Sequence, residues 1–274
     1  MEEGAVGFQG KIAIGVPHKG PLEGYFVDTL LHLSKPDNTV MFRVADMAVD
    51  LARNLIIESA LKDPDVTHVF FMDSDMQFHT DSLIRLVQRD KPVIGGIYFS
   101  RTETPIPHAY AFHHEDPEGE DCPMGLEHSK HQRGRWYRPL HKEFAAFVKR
   151  HPEYATEPMC AVLPATPDTL VEADAMATGC LLIKREVLEA MEYPWFRNHD
   201  HSAGGEDFFF CERAKALGHP IYADFSVQCT HEYRYLFIAR DNFVKCFGVG
   251  GPDEHDFDQP LLVDAGPRAK LAAS

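Results

Sequence analysis

Thr67-His68-Val69-Phe70-Phe71-Met72 runs directly into Asp73-Ser74-Asp75. A short apolar run that ends at a turn reads as a buried strand, so its two carboxylates emerge at the strand's carboxyl end. Upstream, Ala48 to Leu61 repeats apolar residues at helical spacing (Leu51, Ala52, Leu55, Ile56, Ala60), with Asp46 as its expected cap and Asp63-Pro64-Asp65 as its stop. Before it, Thr39 to Val44 and Lys11 to Val16 read as strands, the latter closed by Pro17, with a loop from Pro17 to Gly24. Downstream come a helix from about Thr80 to Gln88 and a strand from Pro92 to Phe99. Alternation of this kind favours a parallel sheet with helices on both faces, whose ligands gather beyond the carboxyl ends of the strands.

From Ser100 to about Asp168 the pattern breaks into Pro, His, Gly and charge, with Lys142 to Arg150 as its one helical stretch. This segment reads as a long insertion over one end of the sheet. Regularity then resumes. Leu170 to Ala175, Cys180 to Lys184 and Pro220 to Phe225 are strand-like, whereas Arg185 to Glu192 and Glu206 to Leu217 are helical. The expected organisation is one domain over 1–274, with the insertion at about 100–168 and a C-terminal extension at about 235–274.

An apolar fraction of 44% is ordinary for a globular chain, and no apolar run approaches a membrane span. Met1 to Gly10 carries two acids and no basic stretch leading into an apolar one, so no secretion signal is read and the expected location is the cytoplasm. Six scattered cysteines without a CxxC pair argue against a disulfide framework and a thiolate zinc site. The net charge of −15 opposes nonspecific grip on a polyanion. Lys130 to Arg150 is nevertheless locally basic, with seven Lys and Arg against one Glu.

Three groups could carry chemistry. Asp73 and Asp75 suit Mg²⁺ or Mn²⁺, whose coordination is completed by water and phosphate oxygens; the plainer alternative is a solvated acidic turn. Glu206-Asp207 follows Ala203-Gly204-Gly205 and opens an apolar helix, where it serves either a substrate or the helix terminus. His231, after the last strand, is either a metal ligand or a packed ring.

In this order the elements resemble the GT-A glycosyltransferases, over roughly 11–100 and 170–235. They are Ile12 to Val16 with Pro17, Ala52-Arg53-Asn54, Phe71-Met72-Asp73-Ser74-Asp75, Ala177-Thr178-Gly179-Cys180, Gly205-Glu206-Asp207 and His231. The resemblance implies an α/β fold of GT-A type, a Rossmann-like mixed sheet flanked by helices. It also implies a sugar moved from a nucleoside-diphosphate sugar to an acceptor hydroxyl with Mn²⁺ or Mg²⁺. Val16, Pro17, Arg53, Asp73, Thr178 and Gly179 are then donor-site residues, and Asp73, Asp75 and His231 metal ligands. Asp207 is the expected base of an inverting reaction, and Glu206 orients the sugar or acceptor.

Within the insertion, His113, His114, Cys122, His128, His131 and His141 match no standard zinc spacing. Arg133-Gly134-Arg135-Trp136-Tyr137-Arg138 combines guanidiniums with stacking surfaces. It is a solvated loop or an acceptor site, and an anionic acceptor would be a hydroxymethylated nucleic-acid base, the ordinary one a glycan. A nucleotidyltransferase is the rival enzyme, but Gly15-Val16-Pro17-His18-Lys19-Gly20 lacks the glycines of its phosphate cradle. A non-catalytic nucleotide-sugar-binding module is the rival from another class.

Overall fold

The alternation of the first hundred residues is present in the computed structural model, which describes residues 8, 10–102, 105–115, 129–131, 135–152, 161–163, 166–198, 205–233 and 236–238. In chain order it comprises β1 (Lys11–His18), α1 (Gly24–His32), β2 (Thr39–Ala45), α2 (Val49–Leu61), β3 (Val66–Met72), β4 (Met76–Gln77), α3 (Ser82–Gln88) and β5 (Val93–Ile97). The expected insertion supplies β6 (Ala109–Glu115), β7 (Ser129–His131), β8 (Arg135–Pro139), α4 (His141–Arg150) and β9 (Ala161–Val162). There follow β10 (Leu170–Ala173), β11 (Ala175–Met176), β12 (Cys180–Lys184), α5 (Arg185–Glu189), α6 (Glu206–Ala216), β13 (Ile221–Gln228), β14 (Thr230–Tyr233) and β15 (Leu236–Ile238).

The central sheet runs β10-β13-β5-β12-β3-β1-β2, with β9 added alongside β13. It is mixed rather than wholly parallel. β2, β1 and β3 are mutually parallel, as are β5 and β13, and β12 lies antiparallel between β3 and β5. Alternate residues of each strand face opposite layers. Ala13, Val69 and Phe71 join a core with Ile56, Ile57, Val187, Leu188 and Phe208, so α2, α5 and α6 cover that face. Ile12, Ile14, Phe70 and Met72 join Phe26, Leu83 and Leu86 of α1 and α3 on the other.

Three local readings change. Pro17 lies within β1, paired with Val44, so the strand reaches His18. A parallel neighbour needs no N–H from this position, which removes the proline's penalty. Asp46 does not cap α2, whose N-cap is Ala48; instead Asp46 adopts φ 58° and its carboxylate accepts from Gly20 N at 2.8 Å. α1 has one buried residue, Phe26, and no side-chain cap, so it leaves almost no periodic signal. In α2 the buried face is Ala52, Arg53, Asn54, Ile56, Ile57 and Ala60, whereas Leu51 is 51% exposed.

Cys180, Cys211 and Cys229 are buried free thiols. Among the described residues no helix is long and apolar enough to cross a membrane.

Close approach of α2 to β1 requires Gly15, because a Cβ there would sit 2.6 Å from Ile56 Cγ2 and 3.1 Å from Phe71 Cδ1. Gly15→Ala is therefore expected to destabilise the fold by about 1–3 kcal/mol, the range for overpacking a filled core. Urea unfolding of the two proteins measures it, and an unchanged midpoint would contradict the packing.

Candidate active site

One edge of the sheet collects the candidate residues. Five parallel strands end there, and because β12 runs the other way it begins there, so Thr178 and Gly179 arrive beside the end of β3. Asp73 N donates to Gly179 O at 3.0 Å. The short β4 turns back from Asp73-Ser74-Asp75 and pairs with β14, opposing Met76 to His231, while Glu232 N donates to Asp75 O at 2.8 Å. Tyr98, just beyond β5, accepts from Gly179 N at 3.0 Å and sets its ring edge-on to His231 at 5.4 Å.

Pro17, His18, Lys19, Met47, Val49, Asp73, Ser74, Asp75 and Arg101 line a cavity of about 360 Å³ on this edge. Val16 and Thr178 are buried, and neither lines the cavity. A second cavity of about 300 Å³, lined by Phe112, Tyr137, Asp174, Glu212, Lys215 and Ala216, lies along the later turns of α6, away from the paired carboxylates.

Arg53, a donor-site residue by resemblance, is 2% exposed and is not among the residues that line the cavity. Its Nη2 donates to both Asp73 oxygens at 3.1 and 3.3 Å, and its Nη1 to Glu206 and, at 3.2 Å, to Asp207 Oδ1. Its Cζ stands 5.7 Å from the centre of the Phe196 ring. Burial works against the Arg53 charge, but Asp73, Asp207 and Glu206 outweigh it and raise the pKa. The same burial raises Asp73, with Asp75 and Asp207 adding and Arg53 opposing.

Asp207 Oδ1 also receives Thr178 Oγ1 and, at 3.3 Å, Thr178 N. Three donors thus converge on one oxygen, and no described residue donates to Oδ2. Residues of α6's first turn could have served only to terminate the helix. Here the Asp207 carboxylate turns across to α2 and the segment before β12, and the N-cap Gly205 makes no side-chain cap bond.

Asp75 faces different partners. Arg101 Nη1 is 2.9 Å from its Oδ2, and His231 Nε2 is 3.6 Å from the same oxygen. Burial again disfavours the carboxylate, yet His231 and Arg101 bring Asp75 below its ordinary range. His231 Nδ1 lies 2.9 Å from Phe99 O. A carbonyl only accepts, so Nδ1 is assigned a proton, which leaves Nε2 as the ring nitrogen that faces Asp75. Asp75 and His231 make a two-ligand corner that suits an ion completed by water and phosphate. Among the described residues no three His, Cys, Asp or Glu side chains converge on one metal position.

Charge gives an independent test of that fit. Around this edge the guanidiniums of Arg53 and Arg101 face the carboxylates of Asp73, Asp75, Glu206 and Asp207. If all four are ionised, these six groups leave two negative charges over, of which Lys19 on the cavity wall answers one. Without a bound cation, a proton is retained: burial and Asp207 push Glu206 up from 4.5 to about 7, against the pull of Arg53.

The basic run of the insertion is only partly placed. Arg133 lies outside the described residues, and Arg135 and Trp136 belong to β8. Arg138 forks onto Glu143 at 2.6 and 3.1 Å, so its charge is already answered. Of the histidines weighed as zinc ligands, Cys122's neighbour in that reading, His128, and Cys122 itself lie outside the described residues. His141 Nδ1 donates to Pro139 O at 3.0 Å.

Comparison with solved structures places A197 from STIV at TM-score 0.52, with 17% identity over 85% of this chain and 91% of that one. GalNAc-T7 with UDP, GalNAc and Mn²⁺ gives TM-score 0.45, with 13% identity over 88% of this chain and 48% of that one. The first likeness establishes a shared fold and no chemistry; the second is too distant to carry an argument. The fold is the one expected, a mixed sheet of GT-A type flanked by helices. No protein-family model matches the chain, and no curated protein does.

Sequence reasoning missed His18, Lys19, Tyr98 and Arg101. His18 and Lys19 follow Pro17 directly, beyond the proline that ends the strand in the sequence pattern. Nothing local marks Tyr98 or Arg101.

The proton held by Glu206 has a consequence for stability. Its folded pKa of about 7 exceeds its ordinary 4.5, so between those values the folded protein binds the extra proton and stability falls as pH rises. In metal-free buffer the urea midpoint should fall from pH 5 to pH 7.5, and Glu206→Gln should flatten that fall. A Gln variant with the wild-type slope would rule the assignment out.

Proposed function

We propose that this protein is a divalent-cation-dependent glycosyltransferase, moving a sugar from a nucleoside-diphosphate sugar to an acceptor hydroxyl with inversion. The observation that carries the reading is the charge at the sheet edge. Asp73 and Asp75 line a cavity of about 360 Å³ together with Lys19 and Arg101, and Glu206 and Asp207 share the Arg53 guanidinium with Asp73, an arrangement that suits a cation with a diphosphate.

Asp75 Oδ2 and His231 Nε2 hold Mn²⁺ or Mg²⁺ in this reading. Asp73, whose two oxygens accept from Arg53, would add negative charge beside that ion. When bound, the cation supplies neutralisation of the charge that builds on the leaving diphosphate. Pro17, His18 and Lys19 flank the nucleotide, with Val16 as the buried support behind them. Gly179 lets the chain pass close to Met76 and Tyr98, because a Cβ there would stand 2.7 Å from both Met76 Sδ and Tyr98 Oη.

Asp207 is the base. Thr178 and Arg53 anchor its Oδ1, so Oδ2 takes the acceptor hydroxyl proton as that oxygen bonds to the anomeric carbon and the bond to the diphosphate breaks. Glu206 contributes through Arg53, which it holds in line with Asp207. The acceptor is a glycan or a hydroxymethylated nucleic-acid base. Rates measured across a salt series separate the two, because only the polyanion loses its grip as salt rises.

Two variants test the site. Asp75→Asn should lose cation-dependent donor binding while unfolding normally, and calorimetry returning wild-type affinity for Mn²⁺ with nucleotide would reject the ligand. Asp207→Asn should lower kcat by about 10²- to 10⁴-fold with donor and cation affinity near wild type, as for a group acting in the transition state. Near-normal turnover would remove Asp207 from the mechanism, and retained anomeric configuration in the wild-type product would give it another role.

A further inference from the structure

Two arginines meet Asp73-Ser74-Asp75, and they are held very differently. Arg53 is 2% exposed and locked by three carboxylates. Arg101 is 44% exposed at its side chain, and its one charged partner among the described residues is Asp75. Its Nη1 stands 2.9 Å from Oδ2, the oxygen that also faces His231 Nε2 at 3.6 Å. A cation shared by Asp75 and His231 would bind that oxygen at about 2.0–2.1 Å, which sets a dication beside a guanidinium. The two charges cannot both keep those places without mutual repulsion in a partly desolvated site.

The weaker hold yields. An exposed ion pair contributes little, and a long side chain on a loop turns at small cost. Arg101 also lines the cavity that Pro17, Lys19 and Asp73 line, so once released from Asp75 it is already at the wall where the phosphates would lie. A guanidinium fork matches two phosphate oxygens, and a diphosphate carries enough charge to hold both a dication and this arginine.

We propose that Arg101 is a diphosphate-binding residue that occupies the cation's carboxylate in the empty protein and exchanges it for the donor's diphosphate when cation and nucleotide enter. This rests on the functional reading above and adds to it the residue that couples the two ligands. Cation and nucleoside diphosphate then bind with positive cooperativity, because each removes the partner that the other must displace.

The exchange predicts effects of opposite sign, read by calorimetry on the full chain with Mn²⁺ alone and with UDP, GDP, CDP and ADP in saturating Mn²⁺. Arg101→Met should tighten Mn²⁺ alone about two- to fivefold, the range spanned by an exposed ion pair. It should weaken the best-binding nucleoside diphosphate about tenfold or more, as expected for a lost charge-assisted contact. Arg101→Lys should recover part of the nucleotide affinity, since it keeps the charge and loses the fork. In an Asp75→Asn background the effect of Arg101→Met on Mn²⁺ should vanish. Weaker Mn²⁺ binding by Arg101→Met would overturn the proposal, showing that the arginine supports the cation site. Unchanged nucleotide affinity would overturn it as well. If wild type binds Mn²⁺ and nucleotide, either result counts against Arg101 alone; if wild type binds neither, the functional reading falls and this inference falls with it.

Discussion

The Arg53 guanidinium is the contact on which the rest of the site depends. It projects from α2 to the end of β3, the next element in the chain, and to the distant first turn of α6, and joins them through Asp73, Glu206 and Asp207. A buried cation of this kind is costly to desolvate, and it is held because three anions surround it. The converse is as important. Without Arg53, three carboxylates would lose their common counter-ion, and Asp73 would lose the two hydrogen bonds that set its direction, while Asp207 would keep only those from Thr178. Gly15 serves this contact from below, by letting α2 lie close enough to β1 for its buried arginine to reach the sheet edge.

Strand direction explains why the site is where it is. Parallel strands alone would bring only their carboxyl ends to this edge. The antiparallel β12 adds an amino end, so Thr178 and Gly179 enter between the ends of β3 and β5. Thr178 then donates to Asp207, and Gly179 takes Tyr98 across its backbone. Tyr98 in turn packs on His231, which links the cation corner to the segment beside the base.

The segment between β5 and β10 is part of this support. Phe144 and Phe147 of α4 pack on Phe225 of β13, and Phe144 on Phe99 beyond β5. Tyr110 and Tyr137 each lie 5.0 Å from the ring of Phe208, one residue after Asp207. Aromatic packing therefore fixes the face of α6 opposite its carboxylates, and the stretch read as an interruption of the fold helps aim the candidate base.

What the sequence determined by itself follows from short-range periodicity. β3 and β12 are apolar runs bounded by turns, α2 and α6 have helical spacing, and their order places Asp73, Asp75 and Thr178 at strand ends without any contact being known. Those features depend on residues a few positions apart, so a single chain displays them. Tertiary structure alone decided the rest. Whether Asp207 terminates a helix or faces Thr178 depends on where β12 enters the sheet. That Arg53, a donor-site residue by resemblance, is also a buried counter-ion could not be read locally, because its three partners lie 20, 153 and 154 residues away. Arg101 meets Asp75 only because β5 ends near β3 across the intervening β12. Charge pairing and burial act through space, and no local pattern in the chain encodes which distant carboxylate a given arginine will meet.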